Sequence, residues 1–222
     1  MNSTAPMRVL LGPQRPVVNL AAGFDRAGLG DRSVAVISAA WQEAEGDIDD
    51  IRQRLPHTLS DLRLYGRAEE LFNADNTLLQ AYRSRQDQLI EQQRLYRLRL
   101  RQLTIAAREI LRVKGNAAAI AEERRHAISQ LRALDRHHLR QVKKIHARFD
   151  ESIDSLRNDH LGQHVAAIRE ELEQCDTVLI TGGNVVVLIN RLRLFGLGHM
   201  LRAKHVVGWS AGAMDKSLLQ GK

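Results

Sequence analysis

From Ala117 to Leu161 the chain contains neither glycine nor proline. That stretch has room for one unbroken helix of ~60 Å at 1.5 Å per residue. A helix of that length must bury an apolar stripe against a partner. The stripe is present: Val142, Ile145, Phe149, Ile153 and Leu156 recur at spacings of three and four. An earlier run, from Arg83 to about Arg112, places Leu89, Tyr96, Leu100, Leu103, Ala107 and Ile110 at spacings of three, four or seven, with helix formers between them. Gly115-Asn116 separates the two runs. The pattern predicts two long helices folded back as an antiparallel hairpin over 83–157. Low β-branched content argues against strands there.

The flanks are of a different kind. Arg8–Leu11 and Ser33–Ser38 are short apolar runs suited to buried strands. The stretch from Gly12 to Gly30 reads as loop with a helical turn around Leu20. Asp47–Leu55 reads as a helix stopped before Pro56, Leu62–Tyr65 as a third strand, and Arg67–Tyr82 as helix. Beyond the hairpin come a helix over Leu161–Glu173, a strand at Thr177–Ile180, a tight turn at Gly182-Gly183-Asn184 and a helix over Val185–Phe195. A strand within Ala203–Trp209 and a helix over Ala211–Leu219 follow. The expected fold is α/β, a parallel sheet of at least five strands with flanking helices, interrupted by the long helical hairpin. Three parts result: 1–82 and 158–222 build the α/β domain, and 83–157 is the insertion.

Composition narrows the function classes. The single cysteine, Cys175, excludes an intrachain disulfide and a cysteine cluster for zinc. Met1–Gly12 is too short and polar for a secretory signal, and no apolar run approaches the ~20 residues of a membrane span. A cytoplasmic protein with no membrane partner is expected. The net charge of +7 is concentrated: 18 basic residues face 9 acidic ones between Ala81 and Arg157. Arg132, Arg136, Arg140 and Lys144 recur every four residues, with Lys143 beside them. They read first as a solvated helix surface. Nucleic-acid binding is the least favoured reading, because aromatic residues for base stacking are sparse. No cofactor is expected. A P-loop is absent, Gly28-Leu29-Gly30 lacks the third glycine of a dinucleotide fingerprint, and no carboxylate–histidine cluster asks for a metal.

One motif carries chemistry. Gly208-Trp209-Ser210-Ala211-Gly212 follows a strand and opens a helix, the G-x-S-x-G pattern of a nucleophile elbow. A serine there needs a sharp turn to lift its hydroxyl clear of the sheet, and glycines two residues either side avoid collisions. Ser210 is the candidate nucleophile. The amide of Ala211 is a candidate oxyanion donor, and the amide of Gly183 or Gly182 the second. Asn184 is a candidate for holding substrate, or for capping the helix that follows. Trp209 either lines the mouth of the pocket or packs beside the turn. Ser210 acting as a plain helix cap is the alternative to the elbow.

The general base is harder to place. Only 12 residues follow Ser210, and none is histidine. His205 begins the strand that ends at Ser210, roughly 16 Å away in extended geometry. His199 shares that far end. His126, His137, His138 and His146 lie on the long helix, where His138 fits the buried stripe. His160 and His164 are four apart and read as an ordinary helix start. His57 is the remaining candidate. Asp176, Asp215 and Glu43 are the acid candidates. Lys216 and Lys222 are the lysines of a serine–lysine alternative, with Lys216 expected to point away.

Thr181-Gly182-Gly183-Asn184, the helix end Leu194-Phe195-Gly196-Leu197, and Gly208–Ala213 together resemble the family of cyanophycinase and peptidase E, the aspartyl dipeptidase. The firm resemblance covers Thr177–Met214, a looser one Met7 to about Leu71. It implies a class I glutamine amidotransferase-like, flavodoxin-like sheet. It also implies that Ser210 falls on the serine nucleophile, with Gly183 and Ala211 at the oxyanion hole. Family members cleave peptide bonds beside acidic residues and continue past the elbow with the segment that supplies the histidine and its carboxylate. The long hairpin is foreign to them. The resemblance therefore implies a serine peptidase-like protein acting on a peptide or small amide. Its base lies outside this chain or is missing, through truncation, degeneration or completion by another subunit. The alternative is a non-catalytic homo-oligomer, joined through Leu100, Leu103, Val142, Ile145 and Phe149 of the hairpin.

Overall fold

A computed structural model describes residues 5–14, 18–30, 32–115, 118–156 and 159–214, with the side chains at 153–156 and 214 left out. It divides into two compact units, Met1–Ala74 with Asp159–Lys222, and Asp75–Asn158.

The first unit is built on five parallel strands: β1 (Arg8–Leu11), β2 (Val34–Ile37), β3 (Leu59–Asp61), β4 (Thr177–Ile180) and β5 (His205–Trp209), in the order β1-β5-β4-β2-β3. Read from β3, this is the doubly wound order 2-1-3-4-5 with the first strand of the chain in the place of the last. Every residue of β2, β4 and β5 is buried, which is why these runs are apolar on both faces rather than alternating, apart from Thr177 and His205 at their starts. Alternation still sorts the faces. Val34, Val36, Leu179 and Val207 join one core cluster with Leu20 and Phe24 of α1 (Leu20–Arg26) and Ile51 of α2 (Asp49–Arg52). Helix α3 (Leu64–Ala74) packs against both α6 (Asp159–Glu173) and α7 (Val185–Leu194). Arg191 of α7 is almost wholly buried, ion-paired to Glu69 at 2.7 Å and placed 5.2 Å from the ring centres of Tyr65 and Phe72. Arg67 pairs with Glu171 of α6.

The third strand is three residues earlier than expected, and the reason is local. Arg63 takes a left-handed φ of 48°, turning the chain out of the sheet. The carboxylate of Glu45 accepts the N–H groups of Tyr65 and Gly66 at 2.9 and 2.7 Å, so Leu64 starts a helix instead of continuing a strand. The helix expected over Arg67–Tyr82 is likewise two: Asp75 accepts the N–H of Leu78 at 2.9 Å and caps a new helix. The Asp47–Leu55 helix shortens to the single turn of α2. Of the helix expected over Ala211–Leu219, Ala211–Met214 is described, and the rest lies outside the described residues.

The second unit is the hairpin of α4 (Asn76–Arg112) and α5 (Ala118–Leu156). Tyr82 meets Phe149 edge-on at 6.1 Å, and Tyr96 stacks on His138 at 4.2 Å. Residue numbers fall along one helix as they rise along the other, so the two run antiparallel. Arg85 is 2% exposed, its guanidinium 4.7 Å from the Tyr82 ring centre and 4.2 Å from that of Phe149. Tyr96 donates its hydroxyl hydrogen to Asp135 at 2.8 Å. Ile145 and Phe149 are thus buried within the chain's own hairpin, while Ile90, Leu98, Ile105 and Leu139 are exposed. The side chains of Ile153 and Leu156 lie outside what is described. No helix among the described residues is long and apolar enough to cross a membrane.

Two carboxylates at the strand ends couple this architecture to pH. Asp61 accepts the hydroxyl hydrogen of fully buried Ser38, with both carboxylate oxygens at 3.2 Å. Burial pushes the carboxyl groups of Asp61 and Glu45 above the usual range, against the hydrogen bonds they accept. The folded chain therefore holds these protons to higher pH than the unfolded chain does. Their stabilising share is complete below the unfolded pKa and is lost as pH rises through the folded one. Asp61→Asn is expected to flatten this decline, measured as the difference in denaturation midpoint between variant and parent over the acid range.

Candidate functional site

Pairing places the strand ends side by side. Ile37 of β2 lies opposite Ile180 of β4, Ile180 opposite Gly208 of β5, and Trp209 opposite Leu11 of β1. The chain therefore leaves the sheet at Ser38, Thr181, Ser210 and Gly12 along one edge. From β2 the chain goes on to β3 and from β4 to β5, in opposite directions, so a crevice opens at the carboxyl ends of β2 and β4.

Ser210 stands at the end of β5 with φ 49°, one of three non-glycine residues with positive φ among those described. Its N–H still donates to Leu11 at 3.1 Å and its carbonyl accepts from Ala213 at 3.1 Å, so sheet and helix hold the kink from both sides. The flanking glycines allow that grip. A Cβ on Gly212 would lie 2.4 Å from the carbonyl oxygen of Ile180, and one on Gly208 2.7 Å from that of Gly212. Gly183 has φ 131°, and a Cβ there would lie 2.6 Å from the carbonyl oxygen of Ala40. Among the described residues no acceptor takes the N–H of Gly183 or of Ala211, whereas that of Asn184 donates to Ala40 at 2.9 Å.

Ser210, Gly182 and Gly183 line one cavity of about 590 Å³. Its other walls come from the loops after β1 and β2, the start of α1, and α2 with the turn after it: Pro13, Gln14, Val18, Leu20, Trp41, Asp50, Ile51 and Arg54, with Trp209 beside the serine. Of these, Trp209 alone was singled out from sequence, and it does both things weighed for it: it lines the cavity and packs, 8% exposed, in the core cluster. The rule that chemistry gathers at the carboxyl ends of parallel strands would have found Pro13 and Trp41, which follow β1 and β2. Asn184 serves as a helix cap, its side-chain oxygen accepting from Val186 and Val187 at 3.1 and 3.3 Å. Its amide nitrogen donates to Gln42, itself strained at φ 59°. The four described residues of the helix Ala211–Met214 give the Ala211 amide an orphan position at a helix start, but too short a helix for an appreciable dipole.

No histidine lines this cavity among the described residues. His205 and Asp176 lie at the opposite, amino edge of the sheet: His205 accepts the N–H of Met7 at 3.2 Å, and Asp176 accepts that of His205 at 3.1 Å. Burial holds the His205 imidazole below its usual pKa, with Arg32 adding to the effect. His57 is also at the amino edge, where its Nε2 contacts the Leu29 carbonyl at 3.0 Å. His160 and His199 are exposed, and His164 packs against Phe195. Glu43 is exposed and accepts the Tyr65 hydroxyl hydrogen at 2.9 Å. His126, His137, His138 and His146 belong to the hairpin unit. Asp215, Lys216 and Lys222 lie outside the described residues. No group of three or more possible metal ligands occurs among the described residues.

Residues 130–217 match the profile of peptidase family S51. The matched segment is less than half of the chain, and it holds Gly182, Gly183, Asn184, Ser210 and Ala211; over it the chain is similar to a hydrolase family. The match starts inside α5, and the looser resemblance over Met7–Leu71 has no counterpart in it. No curated protein and no solved structure matches the chain.

The glycine contacts generate a stability test. Gly212→Ala is expected to cost about 1–3 kcal/mol, because a new methyl meets backbone that cannot retreat. Gly198→Ala, with open space around it and inside a helical turn, is expected to be neutral or stabilising by up to about 1 kcal/mol. Denaturant midpoints of the two variants make the comparison.

Proposed function

We propose that this chain is a serine hydrolase-type protein in which Ser210 is the acylation nucleophile. The observation that carries the reading is the serine's left-handed backbone, φ 49°, at the end of a central strand and facing a cavity of about 590 Å³. The N–H groups of Gly183 and Ala211, which lack acceptors among the described residues, are the donors for the oxyanion. The peptidase profile over residues 130–217 supports the same class of reaction.

In this mechanism the Ser210 oxygen attacks a peptide or small-amide carbonyl. The carbonyl electrons move to the oxygen, held by the two amides, and then return as the C–N bond breaks. The serine proton leaves with the amine, and water releases the acid and restores the hydroxyl. Among the described residues no histidine lines the cavity to carry that proton. On the donors and binding alone the expected acceleration is about 10³–10⁴-fold over water, as in serine hydrolases stripped of a triad member. Completion by a base from another chain or from outside the described residues would raise it.

A small organophosphorus fluoride tests the assignment without demanding a matched substrate. Incubation of the full chain followed by peptide mass spectrometry is expected to find the phosphoryl group on Ser210, slowly acquired and absent in Ser210→Ala. Modification confined to other residues, or none after prolonged exposure, overturns the reading.

A further inference from the structure

We infer that the cavity beside Ser210 selects substrates carrying an apolar, ring-sized group next to the scissile carbonyl. The inference rests on the reading of Ser210 as nucleophile and adds the substrate class. A volume of about 590 Å³ is in the range of small-molecule sites and exceeds what one peptide unit fills.

The walls decide the chemistry. Trp41 and Trp209 both line the cavity, their ring centres 6.4 Å apart and tilted by 46°, so they present indole surface rather than a closed stack. Val18, 40% exposed, faces the same space from the loop after β1, with the buried side chain of Ile51 behind the wall that α2 contributes. Apolar surface left open in a concave site gains free energy when an apolar group covers it.

The charged lining does not compete. Asp50 and Arg54 are of opposite sign, four residues apart and both exposed to solvent. A substrate carboxylate drawn to Arg54 would enter a cavity that Asp50 also lines, and water screens both charges. Selective capture of a carboxylate needs a desolvated cation without a neighbouring anion, and these walls offer none among the described residues. Trp41 and Val18, with the part of Trp209 left uncovered, are thus the open apolar surface of the site.

The sequence supplies its own reporter. The chain has two tryptophans, and both line this cavity. Indole emission of the full chain, titrated with the N-acetyl amides of alanine, leucine, phenylalanine and aspartate, reads occupancy without any reaction. Affinity is expected to rise about fourfold for each added methylene equivalent. Leucine and phenylalanine amides should exceed the alanine amide by at least about tenfold, and the aspartate amide should be no tighter than alanine. Val18→Asp, at an exposed loop position, is expected to erase the preference for phenylalanine without changing the melting temperature. Tighter binding of the aspartate amide than of the phenylalanine amide overturns the inference, as does unchanged emission with every member of the series. The two readings fail separately. Apolar preference in a chain that resists phosphorylation at Ser210 removes the nucleophile and leaves the pocket. Phosphorylation at Ser210 with an acidic preference does the reverse.

Discussion

The structure depends first on the in-register pairing of four parallel strands. Because Ile37, Ile180 and Gly208 are neighbours across the sheet and Trp209 lies against Leu11, four chain segments must leave the sheet at one edge. Hydrogen bonds continue past the strands and fix how they leave. The N–H of Thr181 donates to Ile37 and that of Ser210 to Leu11, each as one more rung of the ladder. A slip of one residue would turn every buried side chain to the wrong face and move the serine off the edge. The site is therefore a product of register before it is a product of any side chain.

Close approach is the second constraint. The turn at Ser210 can be this tight only because Gly208 and Gly212 bring backbone against backbone, Gly212 against the Ile180 carbonyl of the neighbouring strand. Gly183 is held in the same way against Ala40, in a segment that also carries the strained Gln42 and the cavity-lining Trp41. Two strained turns from different parts of the sequence are thus pressed together at the point where the sheet changes winding direction. Strain of this kind, of order 1–3 kcal/mol at each residue, survives only where surrounding structure over-determines it. Here that structure is the all-buried trio β2, β4 and β5.

Much of this was legible in the residues. The strands at Val34–Ile37, Thr177–Ile180 and His205–Trp209 announce themselves as short, largely apolar runs, because both faces of the sheet are buried there, and the edge strand Arg8–Leu11 does so by its Val-Leu-Leu run. The hairpin announces itself by spacing and by the absence of helix breakers. What misled was local chemistry acting from a distance. Leu62–Tyr65 looks like a strand, yet the Glu45 carboxylate, twenty residues away in sequence, captures the N–H groups that start a helix there. The Ser210 turn could be read because its motif is contiguous. The cavity walls could not, because Val18, Trp41, Ile51 and Arg54 meet only through the crossover from β1 to the far side of the sheet. The placement of His57, His205 and Asp176 along the amino edge follows from the same fact: position relative to a parallel strand decides which end of the sheet a residue occupies.

The most direct measurement of the central proposal, that Ser210 and the amides of Gly183 and Ala211 act on one point, is a boronic acid titration followed by nuclear magnetic resonance. A phenylalkyl boronic acid offers the Ser210 oxygen an electrophile that becomes tetrahedral on attack and places an oxygen where an oxyanion would form. Boron is expected to turn tetrahedral, and the amide resonances of Gly183 and Ala211 to shift together in proportion to occupancy. Trigonal boron at saturation, or a tetrahedral adduct that leaves both amides unmoved, would contradict it.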